Sequence, residues 1–356
     1  VSTGRADDRT GRNDGGGDAA ALRAVRWSIL DRALVRAGQR PDEALRETVA
    51  FARQVDGLGF HRFWVAEHHG VPGVAGSAPT VLAAAVASAT RRVRVGTGGV
   101  MLPNHRPLVV AEQFGVLEAL FPGRIDMGLG RSVGFVGPVR RALGVEKDAA
   151  DRFGEQITEL LGHFEGSGPV RALPAEGLRV PPFVLAVGSG ASVAAAHGLP
   201  LVMAHLSDED RMLAAIDRYR TEFVPGAYAE RPYVIVAVNA AVAATAAEAA
   251  VLQVPEAWAT VHSRTRGVFA PLEPPGDVLA RDMTERERGY FEQARAGQLH
   301  GDEAGMTRAL ARLVTRTGAD ELLVTLNTHG TEGRLDSTRR LARLAGLPGA
   351  DAPAGR

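Results

Sequence analysis

The run HRFWVAEHHG at residues 61–70 closes an apolar segment with Glu67, His68 and His69. A carboxylate followed by two imidazoles can ligate a metal ion, share acid/base work or serve as polar loop residues. Successive residues of a strand face opposite sides, so His68 and His69 reach one ion only if the strand bends. A hydrolytic zinc barrel also calls for a His-x-His pair and further carboxylates at strand ends. The chain contains no His-x-His. The reading is therefore no metal centre, but a neutral histidine acting as general base or hydrogen-bond donor. Glu67 would set its tautomer or anchor the loop.

Such groups need strands to place them. Strand patterns fall at 25–34, 61–68, 92–100, 124–131, 181–187, 201–206, 232–241 and 320–326. Helical spacing appears at 41–59, 79–90, 106–123, 189–198, 207–223, 242–262, 302–317 and 333–346. Eight alternating units imply parallel strands joined by crossover helices, and point to a (β/α)8 TIM barrel rather than an open sheet. No Gly-x-Gly-x-x-Gly follows the first strand, which argues against a doubly wound dinucleotide fold. Residues 1–23, rich in Gly and Asp, read as a disordered tail. Residues 24–350 read as one barrel domain, with 255–300 inserted between the seventh and eighth units as a lid.

In a barrel, chemistry gathers at the C-terminal strand ends. Those ends carry Glu67-His68-His69, then Gly98-Gly99, Gly128-Leu129-Gly130-Arg131, Gly188-Ser189-Gly190-Ala191-Ser192, His205 and Asn327-Thr328-His329. Glycines there let a flat or phosphorylated ligand approach the backbone, and Arg131 offers a positive fork to an anion.

Composition narrows the function further. A formal net charge of +0 gives no global field toward nucleic acid or membrane. Of the basic residues only Lys147 is a lysine, so arginine pairs reflect overall usage rather than a binding patch. Zero cysteines exclude disulfides and thiolate chemistry. With no apolar span and no secretory signal, the expectation is a cytoplasmic protein without membrane or nucleic-acid partners.

The run WVAEHH, followed by SAPTVLAAAVASATRRVRVGTGGVMLPNHRPLVVAEQFGVLEALFPGRIDMGLGR, resembles the bacterial-luciferase-like flavin monooxygenases, specifically the mensacarcin-type subgroup of antibiotic pathways. GLPLVMAHL, RPYVIVAVN and TGADELLVT extend the resemblance along most of residues 25–346. The resemblance implies a barrel that binds reduced FMN at its mouth, activates O₂ and oxygenates a small organic substrate. FMNH₂ would come from a separate flavin reductase, and relatives suggest a homodimer. By the same resemblance His68 is the catalytic histidine and Glu67 its neighbour in the motif. Gly98-Gly99 match a non-proline cis peptide under the flavin ring. Arg131, Gly188, Ser189, Gly190, Ser192 and His205 fall at cofactor-binding positions. Three departures stand out: a shorter turn after the fifth strand, His300-Gly301-Asp302-Glu303 where the family often shows Gly-Ser/Thr-Pro-Glu, and Gly130 where true luciferases carry a reactive cysteine. Two alternatives stay open, a deazaflavin-dependent oxidoreductase of the same superfamily and a non-catalytic flavin-binding subunit.

Overall fold

Eight short strands close on themselves in a computed structural model that describes residues 15–350 apart from 135, 187, 189, 206 and 207. They are β1 (Arg26–Asp31), β2 (Arg62–Val65), β3 (Arg94–Thr97), β4 (Ile125–Gly130), β5 (Pro182–Ala186), β6 (Leu201–Ala204), β7 (Val234–Val242) and β8 (Glu321–Thr325). Each pairs in parallel with the next, and β8 returns to β1 through Arg26 opposite Glu321. All eight expected strands are present, and the barrel is the TIM architecture expected from their alternation. Two short additions lie outside the ring: Val100–Met101 on β4, and Leu299–Gly301 on the end of β7.

Two apolar layers hold the barrel. The larger lies between the strands and the surrounding helices, where Trp27, Phe63, Phe114, Ile125 and Met127 are fully enclosed. The smaller fills the barrel interior with Trp64, Phe183, Val202, Ile235 and Leu323. Glycines set how closely β3 and β4 approach: a Cβ on Gly128 would lie 1.9 Å from the Thr97 carbonyl oxygen, and one on Gly96 2.4 Å from that of Asp126. No side chain fits either position.

Below the interior cluster the barrel is plugged by charge. Arg62, 6% exposed, donates from Nη1 to Asp126 (2.6 Å) and from Nε to Glu321 (3.0 Å), both carboxylates fully buried. Asp126 also accepts from Trp64 Nε1 (3.1 Å) and Arg94 Nη2 (2.7 Å); Glu321 accepts from the Tyr233 hydroxyl (2.7 Å). The Arg62 guanidinium stacks 4.6 Å from the Phe183 ring centroid. Desolvation works against the Arg62 charge, yet Asp126 and Glu321 hold its pKa above the ordinary arginine value. Arg62 and Glu321 each open their strand, so this network seals the N-terminal end and leaves the C-terminal end for chemistry.

Three expectations need correction. Within the expected tail, Gly15–Ala24 is a helix with Leu22 fully buried, and Trp27 Nε1 donates to the Leu22 carbonyl at 2.8 Å. Residues 1–14 lie outside the described residues. Between β4 and β5, where no helix was expected, Phe153–Glu165 buries Phe153, Ile157, Leu160, Leu161 and Phe164. Third, the helix expected to end at 262 runs Ala246–Arg266, straight through Pro255 and into the expected insertion. The inserted helices Pro275–Leu279 and Glu285–Ala296 pack on it through Trp258, Val261, Val278 and Phe291.

Replacing Arg62 by Met leaves two buried carboxylates without their shared cation. The expected loss is about 3–5 kcal/mol of unfolding free energy by urea titration; a loss below about 1 kcal/mol would show that the network does not hold the barrel end.

Candidate active site

The end of β2 is organised around one buried carboxylate. Glu67 Oε1 accepts from His69 Nε2 (2.7 Å) and His105 Nε2 (2.8 Å), and Oε2 accepts from the Met101 backbone N–H (2.9 Å). Burial alone would raise the Glu67 pKa, but the bonds from His105, His69 and Met101 overcome it and hold the group at about 2. Of the two roles foreseen for Glu67, anchoring the loop is the one these bonds display. His105 stands in the run 101–105 after the third strand but was given no role, because nothing local in MLPNHR announces a partner 38 positions earlier. The ligating atoms of Glu67, His69 and His105 lie within 4.8 Å of one another, a set of the kind that can hold a metal. Separations of 2.7 and 2.8 Å are those of charge-assisted hydrogen bonds, whereas ligands of one tetrahedral zinc stand ~3.3 Å apart.

His68 faces the other way. Its backbone N–H bonds the Gly76 carbonyl at 2.8 Å, and its side chain lines a cavity of about 290 Å³ with Arg32, Val71, Val136 and Phe269. Burial lowers its pKa, and the nearby Arg32 charge adds to the effect against a smaller pull from Glu67, giving about 4. The imidazole is therefore neutral at pH 7. The insertion roofs this cavity: Phe269 O accepts from Gly73 N, and Leu272 exchanges backbone bonds with Val35 and Ala37 in the loop after β1. Sequence reasoning overlooked Arg32, although it follows β1 directly.

The Gly98–Gly99 peptide is cis. The packing of the protein itself requires glycine at both positions. A Cβ on Gly98 would meet Leu30 Cδ1 at 2.6 Å and one on Gly99 would meet the Gly128 carbonyl oxygen at 2.7 Å, so protein atoms claim that space. Open space exists instead at Gly130, where a Cβ would find only the Val100 oxygen at 3.7 Å, and at Gly188, where it would find nothing within 4 Å.

Beside Gly130 lies a second cavity of about 500 Å³, lined by Arg131, Arg140, Lys147, Leu185 and Gly190. Arg131 donates from Nε to the Ala150 carbonyl (2.9 Å) and from Nη2 to Asp151 (2.9 Å), whose carboxylate is 75% exposed. Arg131 and Gly190 are thus brought together as expected, while Arg140, on the short helix Gly137–Leu143, and Lys147, at the start of the helical turn Lys147–Arg152, are additions from a segment the sequence left unread. Ser192 and His205 are half-buried and line neither cavity; burial depresses the His205 pKa. Ser189 lies outside the described residues. The segment after β4 joins the two cavities, with Arg131–Gly134 in one and Val136 in the other.

A closed parallel barrel with a neutral histidine, an open glycine and clustered cations at its C-terminal face is an enzyme's architecture. The chain belongs to the luciferase-like monooxygenase family, whose model matches residues 25–335, and is therefore an oxidoreductase by family. It is 36% identical over 322 residues to a luciferase-like monooxygenase of Escherichia coli strain K12, covering 88% of this chain and 95% of the relative. The crystal structure of apo-MsnO8, of the mensacarcin type, superposes with a TM-score of 0.82 at 33% identity, covering 92% of this chain and 99% of that one. The oxygenating constituent of 3,6-diketocamphane monooxygenase from Pseudomonas putida, solved in complex with FMN, shares the fold at a TM-score of 0.69 and 16% identity, covering 91% and 99%. Among the described residues no helix is long and apolar enough to cross a membrane.

Glu67→Gln removes the charge that gathers His69, His105 and Met101, with an expected loss of about 2–4 kcal/mol. The lowered carboxyl pKa sets the pH dependence. Its contribution is complete above the unfolded value near 4.5 and disappears as pH falls through about 2. The stability gap between wild type and variant should hold steady above pH 5 and narrow steadily below it. A gap independent of pH would refute the assignment.

Proposed function

We propose that this protein is a monooxygenase that uses reduced FMN and O₂ to oxygenate a small organic substrate, in secondary metabolism of the antibiotic-pathway kind. The observation that carries the cofactor is the cavity of Arg131, Arg140 and Lys147 beside the open backbone of Gly130 and Gly188. Three cations against one exposed carboxylate fit a phosphate monoester, which would displace Asp151 from Arg131. Gly190 and Ser192 stand at the start of the helix Gly190–Ala196, Gly188 precedes it, and His205 directly follows β6; Ser189, outside the described residues, belongs to the same sequence run.

FMN held there would supply, once reduced, the electrons that activate O₂. The protein's own contributions are positional. The Gly98–Gly99 segment follows β3, which pairs with β2 and β4, and a flat ring would rest against the face of its backbone that no Cβ would occupy. The neutral His68 imidazole, facing the first cavity, can take up a proton at a ring nitrogen and return it. Glu67 fixes His68 indirectly by clamping the residues on either side of the strand end. The segment 267–272, tied to the loops after β1 and β2, would help shield the bound substrate from water. A separate flavin reductase would deliver FMNH₂, since no nicotinamide fingerprint follows β1. A homodimer is supported by the adjacent helices Pro79–Ala89 and Pro107–Leu120, which expose Val81, Val109, Val116 and Leu120 to solvent.

The phosphate assignment separates two flavins that differ only in that group. Arg131→Ala should weaken FMN binding by about tenfold or more while leaving riboflavin affinity within about threefold, measured by flavin fluorescence. Equal losses for both flavins, or none, would remove Arg131 from the phosphate site.

A further inference from the structure

The His68 cavity carries a charge pattern that restricts what can enter it. Arg32 reaches the cavity from the end of β1, and its Nη2 pairs with Glu256 on the helix Ala246–Arg266. Glu256 is itself buried, and its oxygens accept from Asn327 Nδ2 (2.9 Å) and from Asn239 Nδ2. Gln253 holds Asn239 in turn, through Nε2 to Asn239 Oδ1 at 3.2 Å. One cation is therefore matched by one anion whose remaining lone pairs are already engaged. Across the cavity, the Arg32 guanidinium lies 5.7 Å from the Phe269 ring centroid. The Nε–H of Arg32 is covered by protein atoms, while the side chain as a whole stays 23% exposed and lines the cavity. The remaining wall is mostly apolar, with Val71, Pro72, Val74, Val136 and Val268, and carries the hydroxyl residue Ser263 along with His69.

We propose that this cavity binds an uncharged, largely apolar substrate bearing one hydrogen-bond-accepting oxygen, a ketone or ether, which Arg32 holds beside His68. The inference rests on the reading that this barrel mouth is the reaction site, and names the substrate class for it. The apolar walls take up the body of the molecule by surface burial. The oxygen accepts from the part of the Arg32 guanidinium that Glu256 leaves open to the cavity. A carboxylate is disfavoured because Glu256 already neutralises Arg32, so a second anion would enter without a counter-charge in a desolvated site. Glu256 thereby acts as the selectivity element, through Arg32. None of the residues of this cluster except Asn327 belongs to a strand-end group singled out from the sequence.

The test compares octan-2-one with octanoate, two chains of equal length differing in charge, by calorimetric titration of the full-length protein without flavin and again with FMN. Wild type should bind the ketone at least about tenfold more tightly than the carboxylate. Arg32→Lys keeps a cation for Glu256 but lacks the planar second donor, and should lose about tenfold in ketone affinity. Glu256→Gln leaves Arg32 uncompensated and should reverse the preference toward octanoate. Circular dichroism melting on each variant separates lost binding from lost fold, and the two variants disturb the cluster from opposite sides. A wild type that prefers octanoate, or binds neither, overturns the proposal, as does a Glu256→Gln protein with unchanged preference. FMN affinity is read in the same titrations. Ketone selectivity without FMN binding would sink the cofactor reading alone, and FMN binding without selectivity would sink this one alone.

Discussion

A carboxylate withdrawn from water must find donors, and Glu67 finds three. His69 and His105 meet one oxygen and the Met101 backbone meets the other, so a single buried charge ties the end of β2 to the loop after β3. That tie decides where His68 goes. With its neighbours Glu67 and His69 committed to the Met101 side, strand alternation turns His68 toward Arg32 and the cavity beneath the insertion. The pairing of a strongly ionised carboxylate with a neutral imidazole one residue away follows from their opposite surroundings, donors for one and burial beside a cation for the other.

The two ends of the barrel divide the polar residues between them. At the N-terminal end Arg62 satisfies Asp126 and Glu321 completely, with Trp64, Arg94 and Tyr233 using the remaining lone pairs. The carboxylates there are engaged by the protein itself, although His61 Nε2 beside them is buried without a partner among the described residues. The C-terminal end retains unspent capacity: open backbone at Gly130 and Gly188, three cations around one cavity and an Arg32 guanidinium that Glu256 leaves partly open to the other. Function concentrates where satisfaction is incomplete.

The strands were legible because buried parallel strands are short apolar runs punctuated by glycine, and eight of them in alternation admit few topologies. The motif EHH stood out in the local sequence, whereas the cis Gly98–Gly99 site was implied by the family resemblance. The helix Phe153–Glu165 was equally visible in principle, since Phe153, Ile157, Leu160, Leu161 and Phe164 follow helical spacing. The helix Gly15–Ala24 was not: three leading glycines mask it, and a single side chain, Leu22, anchors it by tertiary packing. Arg32, His105 and Glu256 gain their roles only from partners far away in sequence, 224 positions in the case of Arg32 and Glu256. Glycine roles were the hardest to read. Gly98 and Gly99 answer to neighbouring protein atoms, and Gly130 and Gly188 to open space, yet all four look alike in the chain.

The central claim is that the mouth of this barrel binds reduced FMN and lets O₂ react there under the control of His68. Anaerobic titration with FMNH₂, followed by stopped-flow mixing with O₂, tests it in wild type and in His68→Asn. The account predicts saturable FMNH₂ binding in both proteins, and in wild type a transient absorbance distinct from reduced and from oxidised FMN. In His68→Asn that transient should decay at least about tenfold faster. Oxidation at the rate of free FMNH₂, identical traces for the two proteins, or binding of a reduced deazaflavin in place of FMNH₂ would contradict it.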